Sequence, residues 1–292
     1  MRRESGLGGS GGGAGNHPGG NGGRRGRGRV GTTAGATVAL LLALTAGAPG
    51  TGAAAHGPPP DPAPGGPVRP YEPDVPGPRN ADTLGATIVP DGGTARGVRV
   101  AFDRTSRAET GGAPAGARRF VFLFDRSLAF RPEAFPVCAR SLIEEKGVTA
   151  CPEGSQVGRG TAHAYPEGTA EVLAFNTRYD SGARGALVVI PATGALLELT
   201  WERVTPYYER RGYRWALDEI LPPSAVPPQE RAGTARFRLE WGARREGDGG
   251  TVSFAESSVR PGERRQRIGL WSWFVTGQIA LPETTAVRRS AP

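Results

Sequence analysis

Residues 235–241 alternate apolar and charged side chains without a break. Ala235, Phe237, Leu239 and Trp241 fall on one face of an extended chain, and Arg236, Arg238 and Glu240 on the other. Side chains repeat every two residues along a strand, so this stretch buries one face as a strand and cannot do so as a helix. The same period governs much of the chain. Val98, Val100 and Phe102 alternate with Arg99 and Ala101. Residues 120–124 (Phe-Val-Phe-Leu-Phe) are apolar on both faces, as in a strand covered on both sides. Residues 172–175, 186–190 and 196–204 read as further strands. Residues 268–281 close the set, with Trp271, Trp273 and Val275 on one face and Leu270 and Phe274 on the other.

One helix stands out. Residues 136–147 place Cys138, Leu142 and Ile143 near helical spacing and end at Gly147, a natural C-terminal stop. Roughly nine short strands and one short helix over about 200 residues predict an all-β fold, a single antiparallel β-sandwich. Its expected span is residues 81–285, followed by a disordered tail at 286–292.

The N-terminal quarter has a different character. Arg24, Arg25, Arg27 and Arg29 precede a short apolar run at residues 38–48, and Ala53, Ala54 and Ala55 follow it. Basic, then apolar, then small is the order of an export signal, here residues 1–55. The run is shorter than the about 20 apolar residues a membrane span needs. Cleavage after Ala55 leaves His56 as the new N-terminus; cleavage after Ala48 would place Pro49 directly after the cut. The Arg24-Arg25 pair raises the twin-arginine route, although Gly26-Arg27-Gly28 lacks the bulky apolar pair that route uses. With no cysteine near the cut, a lipid anchor is excluded. The Gly8–Gly12 match to a serine-hydrolase elbow is a chance product of a glycine tract, with no strand before it.

Export changes how charge and cysteine are read. The formal net charge is +8, but six of the 36 basic residues and one of the 28 acidic ones lie within residues 1–55, which leaves +3 on the processed chain. The remaining arginines alternate with acids and apolar residues instead of clustering, which argues against nucleic acid as a partner. Cys138 and Cys151 are the only cysteines. In an oxidising compartment they pair as a disulfide, closing a loop of about 14 residues worth roughly 3 kcal/mol in the chain-entropy model. Lys146 is the only lysine, which with the alanine and glycine excess points to a GC-rich genome. Residues 56–80 carry a proline every two or three positions. Such a chain donates no regular ladder and prefers extended polyproline conformations, so it is expected as a linker or an unstructured lead-in.

The cysteine segment carries a resemblance. Phe130-Arg131-Pro132-Glu133-Ala134-Phe135-Pro136-Val137-Cys138, then Cys151-Pro152 and Ser155-Gln156-Val157-Gly158-Arg159-Gly160, with Phe175-Asn176 after them, resemble a group of exported actinobacterial proteins of uncharacterised function. The resemblance covers about 50 residues and implies a secreted β-rich domain with this pair bridged. It implies no activity. Further C-terminal cysteines found in that group are missing here. Gly158 and Gly160 share one face of a strand and would let another segment lie close against it.

No catalytic constellation emerges. His163 is the only histidine within the expected domain, and neither Ser155 nor Glu167 stands at a recognisable elbow spacing. One histidine and two bridged cysteines supply no zinc site, and no calcium loop appears, so no cofactor or metal is expected. Glu198 and Glu202 share a strand face, but four residues of strand span about 13 Å, beyond the about 5–9.5 Å of a glycosidase pair. Trp201, Tyr207, Tyr208, Tyr213 and Trp215 cluster among arginines. Exposed rings there would stack on sugars of a cell-wall polysaccharide; otherwise the tryptophans are core and the tyrosines rim a loop. Residues 281–285 (Leu-Pro-Glu-Thr-Thr) resemble a sortase signal but have Thr285 where glycine belongs and no apolar span afterwards, so a strand end is expected. The sequence therefore points to an exported non-catalytic binding or structural module, with an extracellular hydrolase as the alternative.

Overall fold

The computed structural model describes residues 57–67, 70–220, 227–231, 233–247 and 249–290. The expected export segment, residues 1–55, lies outside them. The chain is mostly β. Its strands are β1 (Asn80–Pro90), β2 (Gly97–Ala108), β3 (Ala117–Asp125), β4 (Leu128–Phe130), β5 (Gln156–His163), β6 (Thr169–Arg178), β7 (Arg184–Ile190), β8 (Ala195–Arg203), β9 (Tyr213–Ile220), β10 (Arg236–Trp241), β11 (Arg244–Gly247), β12 (Gly250–Ser253), β13 (Ala255–Ser257), β14 (Arg265–Phe274), β15 (Ile279–Ala280) and β16 (Glu283–Val287). Helices α1 (Arg140–Lys146) and α2 (Pro206–Arg210) are both short. No described helix is long and apolar enough to cross a membrane.

Fourteen of the strands form one antiparallel sheet in the order β15-β14-β3-β9-β8-β7-β6-β5-β10-β2-β13-β4, with β1 on β2 and β16 on β14, while β11 and β12 pair with each other as a separate two-stranded hairpin. Hydrogen bonding thus joins the fourteen strands into one continuous, curled ladder, where the expected sandwich would divide them between two facing sheets. β1 and β16 meet at a parallel bridge between Ile88 and Arg288, and the Arg289 N–H donates to the Ile88 carbonyl at 3.0 Å. The sheet therefore curls until these outer strands touch. That contact covers backbone groups that a sheet edge leaves unpaired.

Curling gives every long strand an inner and an outer face, and the period of two sorts residues between them. Val100 and Phe102 (β2), Phe122 and Phe124 (β3), Val188 (β7), Leu199 (β8), Leu217 (β9), and Leu239 and Trp241 (β10) share the inner core. The outer faces divide into sectors. Over β3, β9 and β14, Val121, Leu123, Ala216 and Trp271 pack with Tyr208, Tyr213 and Ala63. Over β6 and β7, Phe175, Leu187 and Val189 pack beneath Cys138 and Ile143. Along β10 the outer residues Arg236 and Arg238 stay exposed, as the alternation requires.

The Cys138–Cys151 bond is present, with the Cα atoms 5.2 Å apart. It encloses α1, which ends at Gly147 with positive φ and its N–H on the Ile143 carbonyl. Seven residues are too few for a helix to persist alone. The cross-link and the seat on β6–β7 hold it.

Three expectations need correction. A second helix, α2, stands between β8 and β9, where Pro206 starts a turn that the aromatic spacing concealed. The tail is ordered to residue 290: Ala286 and Val287 belong to β16, and buried Arg288 donates to the carbonyls of Val259 and Ala95. The proline-rich segment is no free linker. Its described residues lie along the domain as a strap. The Trp271 indole donates to the Pro59 carbonyl at 3.1 Å, the Tyr208 hydroxyl to Pro60 at 2.7 Å, and the Thr205 N–H to Pro62 at 3.1 Å. Proline lacks a donor but keeps its carbonyl acceptor. A chain that cannot build a ladder still docks where the domain supplies donors.

Candidate functional site

The inner face does not stay apolar to both ends. At one end Phe130, Phe135 and Phe254 plug the curl, and Trp201 packs on Phe130 with ring centroids 4.4 Å apart. At the other end the inner positions change. One step of two residues beyond Phe102 stands Arg104, and beyond Leu217 stands Glu219. The same step leads from Phe122 to Phe120, from Leu199 to Leu197, from Val188 to Ile190 and from Leu239 to Phe237. These six residues line a cavity of about 670 Å³ with Glu230, Arg231, Gly233 and Thr234 at its rim. That volume suits a small organic ligand, and a mainly apolar wall with a few converging polar groups is the usual make-up of such a site.

Arg104 forms the cavity's charged floor. It is nearly inaccessible, yet its Nε lies 2.7 Å from Asp82 Oδ2, and the Ser106 hydroxyl donates to Asp82 Oδ1 at 2.6 Å. Its guanidinium stands 4.8 Å from the centre of the Phe120 ring. A buried charge must be paired and hydrogen-bonded to persist, and this one is. Nη1 reaches Thr234 Oγ1 at 3.3 Å, toward the rim. Glu219 is the second charged group of the layer and is only 4% exposed.

The rim is fastened at several points. The Gly116 N–H donates to the Arg231 carbonyl at 3.0 Å, and the Gly233 N–H to the Pro114 carbonyl at 2.7 Å. A Cβ on Gly116 would stand 2.8 Å from the Arg231 Cβ, and one on Gly233 would stand 2.7 Å from the Ala115 carbonyl. Glycine at both positions is what allows the two segments to lie flat together. The Arg231 guanidinium forks onto Glu72 of the strap at 2.6 and 3.0 Å.

A second charged cluster lies on the outer face under the strap. Arg119 grips Asp218 with two bonds of 2.7 and 2.6 Å and also reaches Asp61 and the Ala63 carbonyl. Burial alone would depress the Arg119 pKa, but the bonds to Asp218 and Asp61 outweigh it and raise it. Glu202 stands near this cluster. Burial pushes its pKa up and the Asp218 charge adds to that, against the neighbouring Thr200 hydroxyl and the Arg119 charge.

The aromatic residues singled out in the sequence are dispersed. Trp201 belongs to the inner core. Trp215 lies on the inner face with Arg203 4.3 Å above its ring. Tyr208 and Tyr213 are buried beneath the strap, where Tyr213 donates to Glu283 at 2.8 Å. Tyr207 alone of the five is exposed, at 37%. No stacking platform assembles from them. Glu198 and Glu202 also part company, the former pairing with Arg140 of α1 at 3.0 Å. His163 bonds Thr169 at 3.0 Å, while the Ser155 hydroxyl is spent on the Pro152 carbonyl at 2.6 Å, so they form no nucleophile–base pair. The sortase-like residues are built into the sheet, with Pro282 accepting from Leu270 and Thr284 opposite Ile268.

Sequence reasoning missed the cavity. Its signal was a charge on an apolar stripe: Arg104 continues Val98-Val100-Phe102, and Glu219 continues Leu217. The chain matches no protein family model, no curated protein and no solved structure.

Proposed function

We propose that this chain is an exported, non-catalytic binding protein that holds a small molecule with an apolar body in the cavity between β2, β3, β7, β8, β9 and β10. The observation that carries the reading is the layer of Phe120, Ile190, Leu197 and Phe237, half-buried around open space at the end of an otherwise filled core. Such a layer leaves apolar surface in contact with water, at a cost of roughly 25 cal/mol per Å², which an apolar ligand removes. Arg104 and Thr234 supply the polar end. The disulfide and the resemblance to exported proteins support a location outside the cell. A wall-polysaccharide partner held by stacked rings is less favoured, because the rings are dispersed. A hydrolytic reading retains one specific support, since Glu219 and Glu230 both line the cavity.

The test is a fluorescence titration of the processed chain, from His56, with the neutral apolar probe N-phenyl-1-naphthylamine. Saturable binding is expected, and Ala195→Trp, which fills the inner face beside Ile190, should abolish it. Binding that ignores Ala195→Trp would refute the site. Release of products from ester or glycoside substrates that stops in Glu219→Gln would favour the hydrolase.

A further inference from the structure

We infer that the proline-rich strap is part of this binding site, and that Glu72 positions the cavity's rim and controls exchange of the ligand. The inference rests on the reading of the cavity as the ligand site.

The contacts run without a gap from strap to cavity. Arg231 lines the cavity and is held by both carboxylate oxygens of Glu72. Glu72 also stands 3.3 Å from Arg118 Nε, and Arg118 in turn holds Asp74 and the carbonyls of Pro73 and Val275. The Val75 N–H donates to the Val275 carbonyl at 3.0 Å. The strap is thus anchored to the sheet on the far side of Glu72, and the carboxylate bridges that anchor to the rim. The Glu72 and Arg231 side chains are 25% and 16% exposed, so the pair is shielded in part yet water can reach it. A planar guanidinium on a carboxylate fork fixes direction as well as distance.

Geometry makes this pair the movable element. Among the described residues the rim is also fastened by backbone bonds across Gly116 and Gly233 and by Arg104 on Thr234, and the cavity walls are strand residues with ladders on both sides. Widening the mouth by shifting Arg231 breaks two charge-assisted bonds. Widening it anywhere along the walls breaks a sheet. Ligand entry and release therefore pass through separation of Glu72 and Arg231, and the segment beside the export signal becomes a component of the site once the domain has folded.

Stopped-flow exchange of N-phenyl-1-naphthylamine on the processed chain tests this, using wild type, Glu72→Gln, Arg231→Gln, Asp61→Asn and Ala195→Trp. Loss of a charge-assisted pair should speed probe entry and release on the order of tenfold in Glu72→Gln and in Arg231→Gln. Asp61→Asn loosens the strap elsewhere and should leave both rates near wild type. Raising salt should accelerate wild type and have little effect on Glu72→Gln, a dependence that a merely structural role would not produce. If Glu72→Gln and Arg231→Gln exchange at the wild-type rate while Ala195→Trp still blocks binding, the clamp is wrong and the cavity stands. If wild type binds no probe, or Ala195→Trp binds it normally, the cavity reading fails and the clamp falls with it. Should Glu72→Gln fail to fold by circular dichroism, Arg231→Gln decides the matter alone.

Discussion

Substituting Asp218 by Asn tests whether the strap and the charge pair beneath it belong to the stable core. Asp218 is inaccessible, and both its oxygens are bonded by Arg119. Removing one partner of a buried pair costs about 3–5 kcal/mol, because the other charge is left uncompensated. Arg119 would keep Asp61 and the Ala63 carbonyl, so the lower end, about 3 kcal/mol, is expected. For a domain of about 200 residues each kcal/mol moves Tm by roughly 2–4 °C, giving a fall of about 6–12 °C. Asp61→Asn is the internal comparison. Its side chain is 35% exposed, so its bond to Arg119 should contribute only about 1 kcal/mol. The double change Arg119→Met/Asp218→Leu removes both buried charges and leaves only the part-exposed Asp61 without its partner, so it should cost less than Asp218→Asn alone. Scanning calorimetry on residues 56–292 gives all three values. Equal losses for Asp218→Asn and Asp61→Asn would refute the ranking by burial. A double variant as damaging as the two single changes combined would refute the pairing.

Cys138→Ser/Cys151→Ser should lower stability by about 2–4 kcal/mol in thermal melts while the β signature remains, since the loop is short and the inner core does not use it. Asp125→Asn should destabilise at neutral pH and flatten the acid limb of a stability–pH curve. Burial would raise the Asp125 pKa, but bonds from Arg264, Ser127 and the Arg267 N–H lower it. The stability it adds is therefore present above the ordinary value of about 3.9 and is lost as pH falls through the depressed one. Glu202→Gln should act in the opposite sense: with a raised pKa, Glu202 disfavours folding as pH climbs, so the variant should melt higher at pH 7 and no higher at pH 3. Gly160→Ala should cost about 1–3 kcal/mol in urea titrations, because its Cβ would collide with the Arg238 carbonyl across the ladder.

Much of the fold was legible because burial writes a period into a strand. The alternation at residues 235–241 became β10 with its apolar side inward, and Trp271 and Leu270 separated to opposite faces as expected. The Gly158-x-Gly160 pattern was also legible, as two positions where backbone lies against backbone. What the period could not show was how the strands close. Curvature depends on which outer strands meet, and the meeting of Ile88 with Arg288 joins residues 200 positions apart. The aromatic cluster misled for a related reason. Trp201 and Trp215 on paired strands point inward, whereas Tyr208 meets a strap whose docking the sequence concealed and Tyr213 bonds Glu283 of β16.

That strap explains why composition alone misjudged residues 56–80. Proline frequency reports missing donors, and missing donors argue against a strand in a sheet. They do not argue against docking, because the carbonyls remain. A segment of unpaired acceptors fits a surface rich in donors, and here Trp271, Tyr208, Arg119 and Arg118 donate to the carbonyls of Pro59, Pro60, Ala63 and Pro73. The two arginines open the apolar strand β3. Both are buried and both take acids from the strap: Asp61 for Arg119, beside Asp218 of β9, and Asp74 and Glu72 for Arg118. Acids spaced through the proline run, facing arginines that open β3, are the complementary pattern that marks such a segment as part of the fold.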